Sequence, residues 1–141
     1  MEQRVDIITV RVSDMEAATS YYVERLGWRA VLAVPGEVTF LQIAHGQVLA
    51  LFDAAGFDED LGPTVSASFN LAHNVSSEAE VDALVNEMLG AGATLLRAPQ
   101  RAPWGGYHGF VLDPAGCCWE IAHNAGWSIG PDGAVSIGPA S

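Results

Sequence analysis

The feature that most constrains the fold of this chain is a weak internal repeat. The dipeptide Val12-Ser13 recurs as Val75-Ser76, and the dipeptide Leu26-Gly27 recurs as Leu89-Gly90. The matches fall where one structural element would end and the next begin, so they indicate two copies of one supersecondary unit. A fold built from two such units is therefore expected before any single residue is interpreted.

Each copy begins with a segment in which every second residue is apolar, which is typical of a half-buried strand. These strands are predicted at residues 5–12 and 68–75. A helix follows each strand, starting at a capping residue and stopping at a glycine. The predicted helices are 15–26, with Asp14 as N-cap and Gly27 as stop, and 78–89, with Ser77 and Gly90 in the same roles.

Three further strands are predicted after each helix, separated by Pro and Gly signals. They lie at 28–34, 37–44 and 47–53 in the first copy and at 94–97, 107–112 and 117–123 in the second. The chain is thus interpreted as one α+β domain of two βαβββ units, residues 1–53 and 66–123. A Gly- and Asp-rich linker is expected at 54–65, and a hairpin tail with a Gly-Pro-Asp-Gly turn is expected at 124–141.

Composition excludes several classes of function. Among 141 residues there are 6 basic and 17 acidic side chains, a formal charge of −11, which disfavours nucleic acid and anionic membrane partners. The chain contains no lysine, so Schiff-base catalysis and a P-loop lysine are excluded. Cys117 and Cys118 are adjacent and are predicted to be free thiols. We expect a cytoplasmic protein, without a leader peptide or a membrane span.

Two motifs resemble one known group of proteins. The segment WGGYHGFVLDPAGCCWEIAHNAGW, residues 104–127, is similar to the terminal signature of the vicinal oxygen chelate superfamily, and VRVSDMEAATSYYVERLGW, residues 10–28, resembles that superfamily's first strand and helix. The superfamily includes glyoxalase I, bleomycin-resistance proteins and extradiol dioxygenases. The resemblance implies a curved mixed sheet that encloses a cup, with helices outside, and it also implies a homodimer.

In metal-dependent members of that superfamily, four side chains of the cup bind a divalent cation. The resemblance places these four positions at Ile7, Ala50, Asn70 and Glu120, and only Glu120 carries a usual ligand. Aliphatic side chains have no donor atom, and a neutral amide with one carboxylate is a weak pair. No cofactor is therefore expected, although a divalent metal held by Glu120 and recruited groups remains an alternative.

Strand alternation, together with the two aromatic residues of the WGGYHG segment, extends the cup to a larger set of candidate residues. The predicted ligand-binding residues are Ile7, Arg11, Ala50, Phe52, Asn70, Trp104, Tyr107, Cys118 and Glu120. In an apolar cup, Glu120 needs a partner, for which Arg11 and Asn70 are the candidates. Without one, Glu120 is a candidate protonated donor or general base.

His108 is the second candidate catalytic residue. It lies in the segment WGGYHG, beside the expected mouth of the cup, where a neutral imidazole can exchange protons near neutral pH. The alternative is a loop histidine that only packs on Trp104 or Tyr107. The two aromatic side chains either form a wall for a planar ligand or anchor the loop to the sheet.

The favoured function is binding of a small organic molecule, cationic or neutral, in an apolar acidic cup without turnover. Two enzymatic alternatives stay open. One is a metal-dependent lyase, isomerase or dioxygenase, and the other is a metal-free acid–base enzyme that uses Glu120 with His108.

Overall fold

The computed structural model describes residues 1–138, and the last residues of the predicted tail, 139–141, lie outside the described part. The helices are α1 (Met15–Thr19), which continues as a π-helical segment (Ser20–Arg25), α2 (Ala54–Leu61) and α3 (Glu78–Gly90). The strands are β1 (Ile7–Val12), β2 (Ala30–Val34), β3 (Val38–Ala44), β4 (Gln47–Asp53), β5 (Phe69–Asn74), β6 (Thr94–Arg101), β7 (Tyr107–Leu112), β8 (Cys118–His123), β9 (Trp127–Ile129) and β10 (Val135–Ile137).

The first eight strands form one curved mixed sheet in the order β2-β3-β4-β1-β5-β8-β7-β6. Within each unit the first and last strands run parallel, β1 with β4 and β5 with β8. The two units meet where β1 pairs antiparallel with β5, so the sheet is continuous within one chain. This arrangement confirms the predicted α+β class with paired βαβββ units.

The two long helical segments start as the sequence predicts. A side-chain oxygen of Asp14 accepts a hydrogen bond from the amide of Ala17 at 3.0 Å, and the Ser77 hydroxyl accepts one from the amide of Glu80 at 3.1 Å. Both bonds satisfy amides that have no partner within the helix. The C-terminal end of α3 differs from the prediction, because the glycine with positive φ that follows the helix is Gly92 rather than Gly90.

Two apolar clusters attach α1 and α3 to the convex face of the sheet. Helix α1 packs through Met15 on Val12, Leu41 and Leu51. Helix α3 packs in a second cluster, formed by Val81, Leu84, Val85, Val111 and Ile121. These side chains are almost completely buried, and their burial is the main stabilising contribution of each helix. The convex face is therefore covered by the helices of the two units.

Residues 54–65, predicted as a linker, contain α2, which lies on the opposite, concave face. Its Phe57 and Leu61 are 0% and 1% exposed and pack with Phe110 and Cys118 of the second unit. The sequence does not predict this helix because Gly56 and a run of acids are typical of a loop. The spacing of the two apolar residues, four positions apart, is the signal that was available.

Strands β9 and β10 form a hairpin over the concave side of the first unit. The side-chain amide of Gln42, on β3, donates to the carbonyl of Gly133 at 2.6 Å, and its oxygen accepts from the amide of Val135 at 2.9 Å. Val135 is buried in this position. Within residues 1–138, no helix combines the length and the apolar character needed to cross a bilayer.

Candidate functional site

The centre of the concave face carries the polar residues of the sheet. Strand pairing places Thr9 of β1 beside Asn70 of β5, and Glu120 of β8 between Ala72 of β5 and Phe110 of β7. Thr9 and Asn70 are buried, whereas Glu120 keeps 16% of its side chain exposed. Strand β8, which follows the turn at residues 113–117, thus delivers one carboxylate to the middle of this face.

Glu120 and His108 form a short polar contact on the concave face. Nδ1 of His108 lies 2.6 Å from Oε2 of Glu120, and the His108 side chain is only 2% exposed. In the tautomer that places the proton on Nδ1, this nitrogen donates to the carboxylate and Nε2 is left to accept a proton. The arrangement is a buried histidine–carboxylate pair, the kind of unit that exchanges a proton with a bound molecule.

His108 lies within β7, the strand predicted at 107–112, and it points to the same face as Glu120. Glu120 therefore has His108 as its partner, so the prediction that Arg11 or Asn70 holds the carboxylate is wrong. The diagonal contact depends on the register between β7 and β8, which strand periodicity alone does not provide.

An aromatic wall stands next to the pair. The ring of Trp104 meets the ring of His108 edge to face, with centroids 5.5 Å apart, and Phe110 approaches His108 at 4.9 Å. Trp104 occupies this place because it lies against Gly106, where an added Cβ would come within 1.9 Å of the indole. Nearly half of Trp104 is exposed, so its indole can contact both His108 and a ligand.

Asp60, on α2, is a member of the site that the sequence interpretation missed. The pKa of Asp60 is raised to about 6, mainly by burial and secondly by the nearby carboxylate of Glu120. The guanidinium of Arg97 opposes this rise, and its Nη1 lies 3.8 Å from the Asp60 carboxylate. Two carboxyl groups therefore face the same region, and one of them titrates close to neutral pH.

Asn70 contributes an unsatisfied acceptor. Its side chain is 3% exposed, and its Oδ1 has no hydrogen-bond partner among the described residues. A buried polar atom without a partner costs free energy, and in native structures such an atom is usually paired with an ordered water, an ion or a bound molecule, or marks functional strain. Asn70 Oδ1 is therefore a candidate acceptor for a donor group supplied from outside the chain.

The remaining predicted ligand-binding residues fall into three groups. Ile7 and Ala50 lie on the concave face and present only carbon atoms. Arg11, Phe52 and Cys118 also belong to this face, but all three contact α2. Tyr107 is placed on the convex face, where its hydroxyl donates to Asp82 of α3 at 2.7 Å, so it is no part of the aromatic wall.

These residues do not fit the divalent-metal site that the resemblance implies. Ile7 and Ala50 lack donor atoms, and Asn70 with Glu120 supplies only an amide and one carboxylate. Among residues 1–138, no three His, Cys, Asp or Glu side chains converge so as to hold a metal ion. No chemical step is therefore assigned to a metal at these positions.

Comparison with known protein families shows to which family the chain belongs. The model of the Glyoxalase/Bleomycin resistance protein/Dioxygenase superfamily matches residues 4–121. The chain belongs to this superfamily. Its two βαβββ units and its terminal Trp-Glu strand are those of a glyoxalase-like protein, and the resemblance noted in the sequence is confirmed. Among curated proteins, none matches the chain significantly.

Several solved structures are similar to this glyoxalase-like chain. A glyoxalase-related enzyme from Fulvimarina pelagi is 42% identical, with 96% of this chain and 99% of the other covered and a TM-score of 0.47. An NAD-dependent benzaldehyde dehydrogenase from Legionella pneumophila is 17% identical, with 83% and 96% covered and a TM-score of 0.68. A superfamily member from Vibrio splendidus 12B01 is 18% identical, with 86% and 98% covered and a TM-score of 0.59. The last two similarities concern the fold alone.

Proposed function

We propose that this glyoxalase-like protein binds a small organic molecule on its concave face, without a metal ion at the superfamily's ligand positions. The observation that carries the proposal is the buried, unpartnered Oδ1 of Asn70, which lies on the same face as the Glu120–His108 pair. When a ligand donates a hydrogen bond to this acceptor, the bond replaces the one that the oxygen lost with water on folding. The two metal-ligand positions occupied by Ile7 and Ala50 become apolar surface for the same ligand.

The polar groups define the ligand's chemistry. Asn70 Oδ1 and the carboxylates of Glu120 and Asp60 are acceptors, so a matching ligand carries N–H or O–H donors. The formal charge of −11 favours a cation over an anion on approach. Trp104 supplies an aromatic face for the ligand's apolar part. A compact aromatic or alkyl ammonium compound meets all of these requirements.

The test compares two probes of equal shape, benzylamine and benzyl alcohol, by thermal unfolding in the presence of EDTA. Ligand that binds only the folded state raises Tm in a saturable manner. We expect benzylamine to raise Tm more than benzyl alcohol, and we expect Glu120→Gln to remove the difference. Glu78→Gln, which neutralises a surface acid of α3, is the matched control and should leave it unchanged.

Metal content separates this proposal from a metal-dependent lyase, isomerase or dioxygenase. Protein purified without a nickel column would be analysed for metals and then tested for stabilisation by Ni, Co, Mn, Fe and Zn ions. Stoichiometric metal, or a metal-dependent rise in Tm that Glu120→Gln abolishes, would overturn binding without a metal.

A second candidate function is metal-free acid–base catalysis, and the 2.6 Å contact between His108 and Glu120 favours it. In this case Nε2 of His108 would take a proton from the bound molecule while Glu120 stabilises the resulting imidazolium. Conversion of a bound compound that is lost in His108→Gln, while its binding persists, would support catalysis. Binding with no conversion of any compound that shifts Tm would favour the first function.

A further inference from the structure

Helix α2 covers the apolar half of the concave face. Phe57 and Leu61 are at most 1% exposed and pack against Phe110 and Cys118. Next to them, Gly56 lies so close to the Phe52 ring that an added Cβ would be 2.8 Å from it. The surface beneath α2 is therefore apolar, and the side chains of α2 occupy the space that a ligand's apolar part would need.

Helix α2 has little stability of its own. It has eight residues, fewer than an isolated helix needs in water, and Gly56 lies in its interior. Its N-cap, Asp53, makes no side-chain capping bond, and the last turn holds no basic residue. Acids follow one another at 58–60, towards the negative end of the helix dipole, where carboxylates are unfavourable. The helix thus depends on its contacts with the rest of the fold.

Two arginines provide the polar part of those contacts. Nε and Nη2 of Arg11 each lie 2.8 Å from a carboxylate oxygen of Asp58, in a bidentate pair that is exposed to solvent. Nη1 of Arg97 donates to the carbonyl of Glu59 at 2.9 Å. Exposed ion pairs contribute little free energy, so these contacts hold α2 in place without preventing its release.

We propose that α2 is a displaceable cover whose release opens the concave face, with the Arg11–Asp58 pair as its latch. The inference rests on the proposed function in one respect, because the surface that is opened is the proposed ligand site. Strand β4 leads into α2 with no residue between them, while residues 62–68, from Gly62 with φ of 80°, connect its other end to β5. We therefore expect the C-terminal end to be the one that moves away, which requires Leu61 and the packed residues Val65 and Ala67 to leave the apolar cluster.

Cys118 reports on this motion without any ligand. Its thiol is 2% exposed and packs in the cluster beneath Phe57 and Leu61. In a Cys117→Ser background, the rate at which Ellman's reagent modifies Cys118 measures opening of α2. We expect a rate well above that of global unfolding and nearly independent of urea below the unfolding transition, as for local opening. Asp58→Asn should raise the rate by about two- to fivefold.

The matched control is Glu78→Gln, which breaks another exposed arginine–carboxylate pair, Arg101–Glu78 at 2.8 Å, away from α2. This variant should leave the rate of Cys118 modification unchanged. The cover is refuted if Cys118 reacts only at the rate and with the urea dependence of global unfolding, or if Asp58→Asn and Glu78→Gln have equal effects. Because no ligand is present, this failure is distinct from a failure of benzylamine to bind.

Discussion

The Glu120 carboxylate, which strand β8 presents to the concave face, interacts with two residues that are distant in sequence, His108 and Asp60. Glu120 is hydrogen-bonded to His108 at 2.6 Å and, after burial, is the second cause of the raised pKa of Asp60, although the three residues come from two strands and a helix. Periodicity predicted the face on which Glu120 lies, because alternation in a strand is a local property. Its partners depend on register and on a helix that the composition of 54–65 concealed, so they had to be seen in the structure.

The raised pKa of Asp60 predicts a pH dependence of stability. In the unfolded chain this carboxyl titrates near 3.8, and in the folded protein near 6. Between these values the folded state holds a proton that the unfolded state has lost, so this group's contribution to stability falls as pH rises from about 4 to about 6. We expect Asp60→Asn to gain free energy of unfolding relative to the parent protein over that window, as measured by urea denaturation.

Asp58 provides the opposite case on the same helix. The hydrogen bond from Arg11 lowers the pKa of Asp58, so its contribution is present above the unfolded-state value and is lost as pH falls. Asp58→Asn should therefore lose stability relative to the parent at neutral pH and converge with it in acid.

For Asp60, parallel pH profiles of stability for the parent protein and Asp60→Asn would show that Asp60 does not titrate as described.

Among the elements, the strands and helices of the two repeated units were predicted from the sequence, whereas helix α2 between the units was not. Strands β4 and β7 have the predicted bounds, and α3 differs from prediction by one residue. Strand β6 extends to Arg101, beyond the predicted 97, because an edge strand tolerates Pro99. Helix α2 was missed, since eight residues with a glycine and three acids show weak helical propensity and gain their stability from tertiary contacts.

The terminal hairpin gives a test at this scale. Gln42 holds Gly133 and Val135 through both ends of its amide, so Gln42→Met keeps the length of the side chain and removes both bonds. We expect a loss of roughly 1–3 kcal/mol in the free energy of unfolding. Hydrogen exchange of the β9–β10 amides should accelerate more than that of α3. Gln3→Met, at an exposed amide, is the control and should change neither measurement.

At the scale of the whole molecule, the two edges of the sheet are unequal. Edge strand β6 carries Arg97, Pro99 and Arg101, which discourage pairing with another strand. Edge strand β2 has the sequence AVLAV without any charge, and its Leu32 and Val34 are exposed. Trp28 and Ile43, beside this strand, are also exposed. We expect a second copy of the chain to pair at this edge.

The predicted homodimer can be tested there by sedimentation velocity. Leu32→Glu places a charge at the uncharged edge and should shift the protein towards monomer, because burying that charge in an interface is costly. Leu95→Glu makes the same change at an exposed leucine of β6 and should leave the distribution as it is in the parent protein. An equal effect of both variants, or a parent protein that is monomeric at all concentrations, would contradict pairing through β2.

The placement of α2 and of the β9–β10 hairpin has a consequence for how the protein can be divided. The segment that leaves the first unit shields the second, through Phe57 on Phe110, and the segment that leaves the second unit shields the first, through Val135 above Gln42. Neither half of the repeat, expressed alone up to its own last strand, retains the element that shields it. The halves are alike in sequence pattern, but each is covered by an element that leaves the other, so we expect the two fragments made by a cut between them to be less stable apart than together.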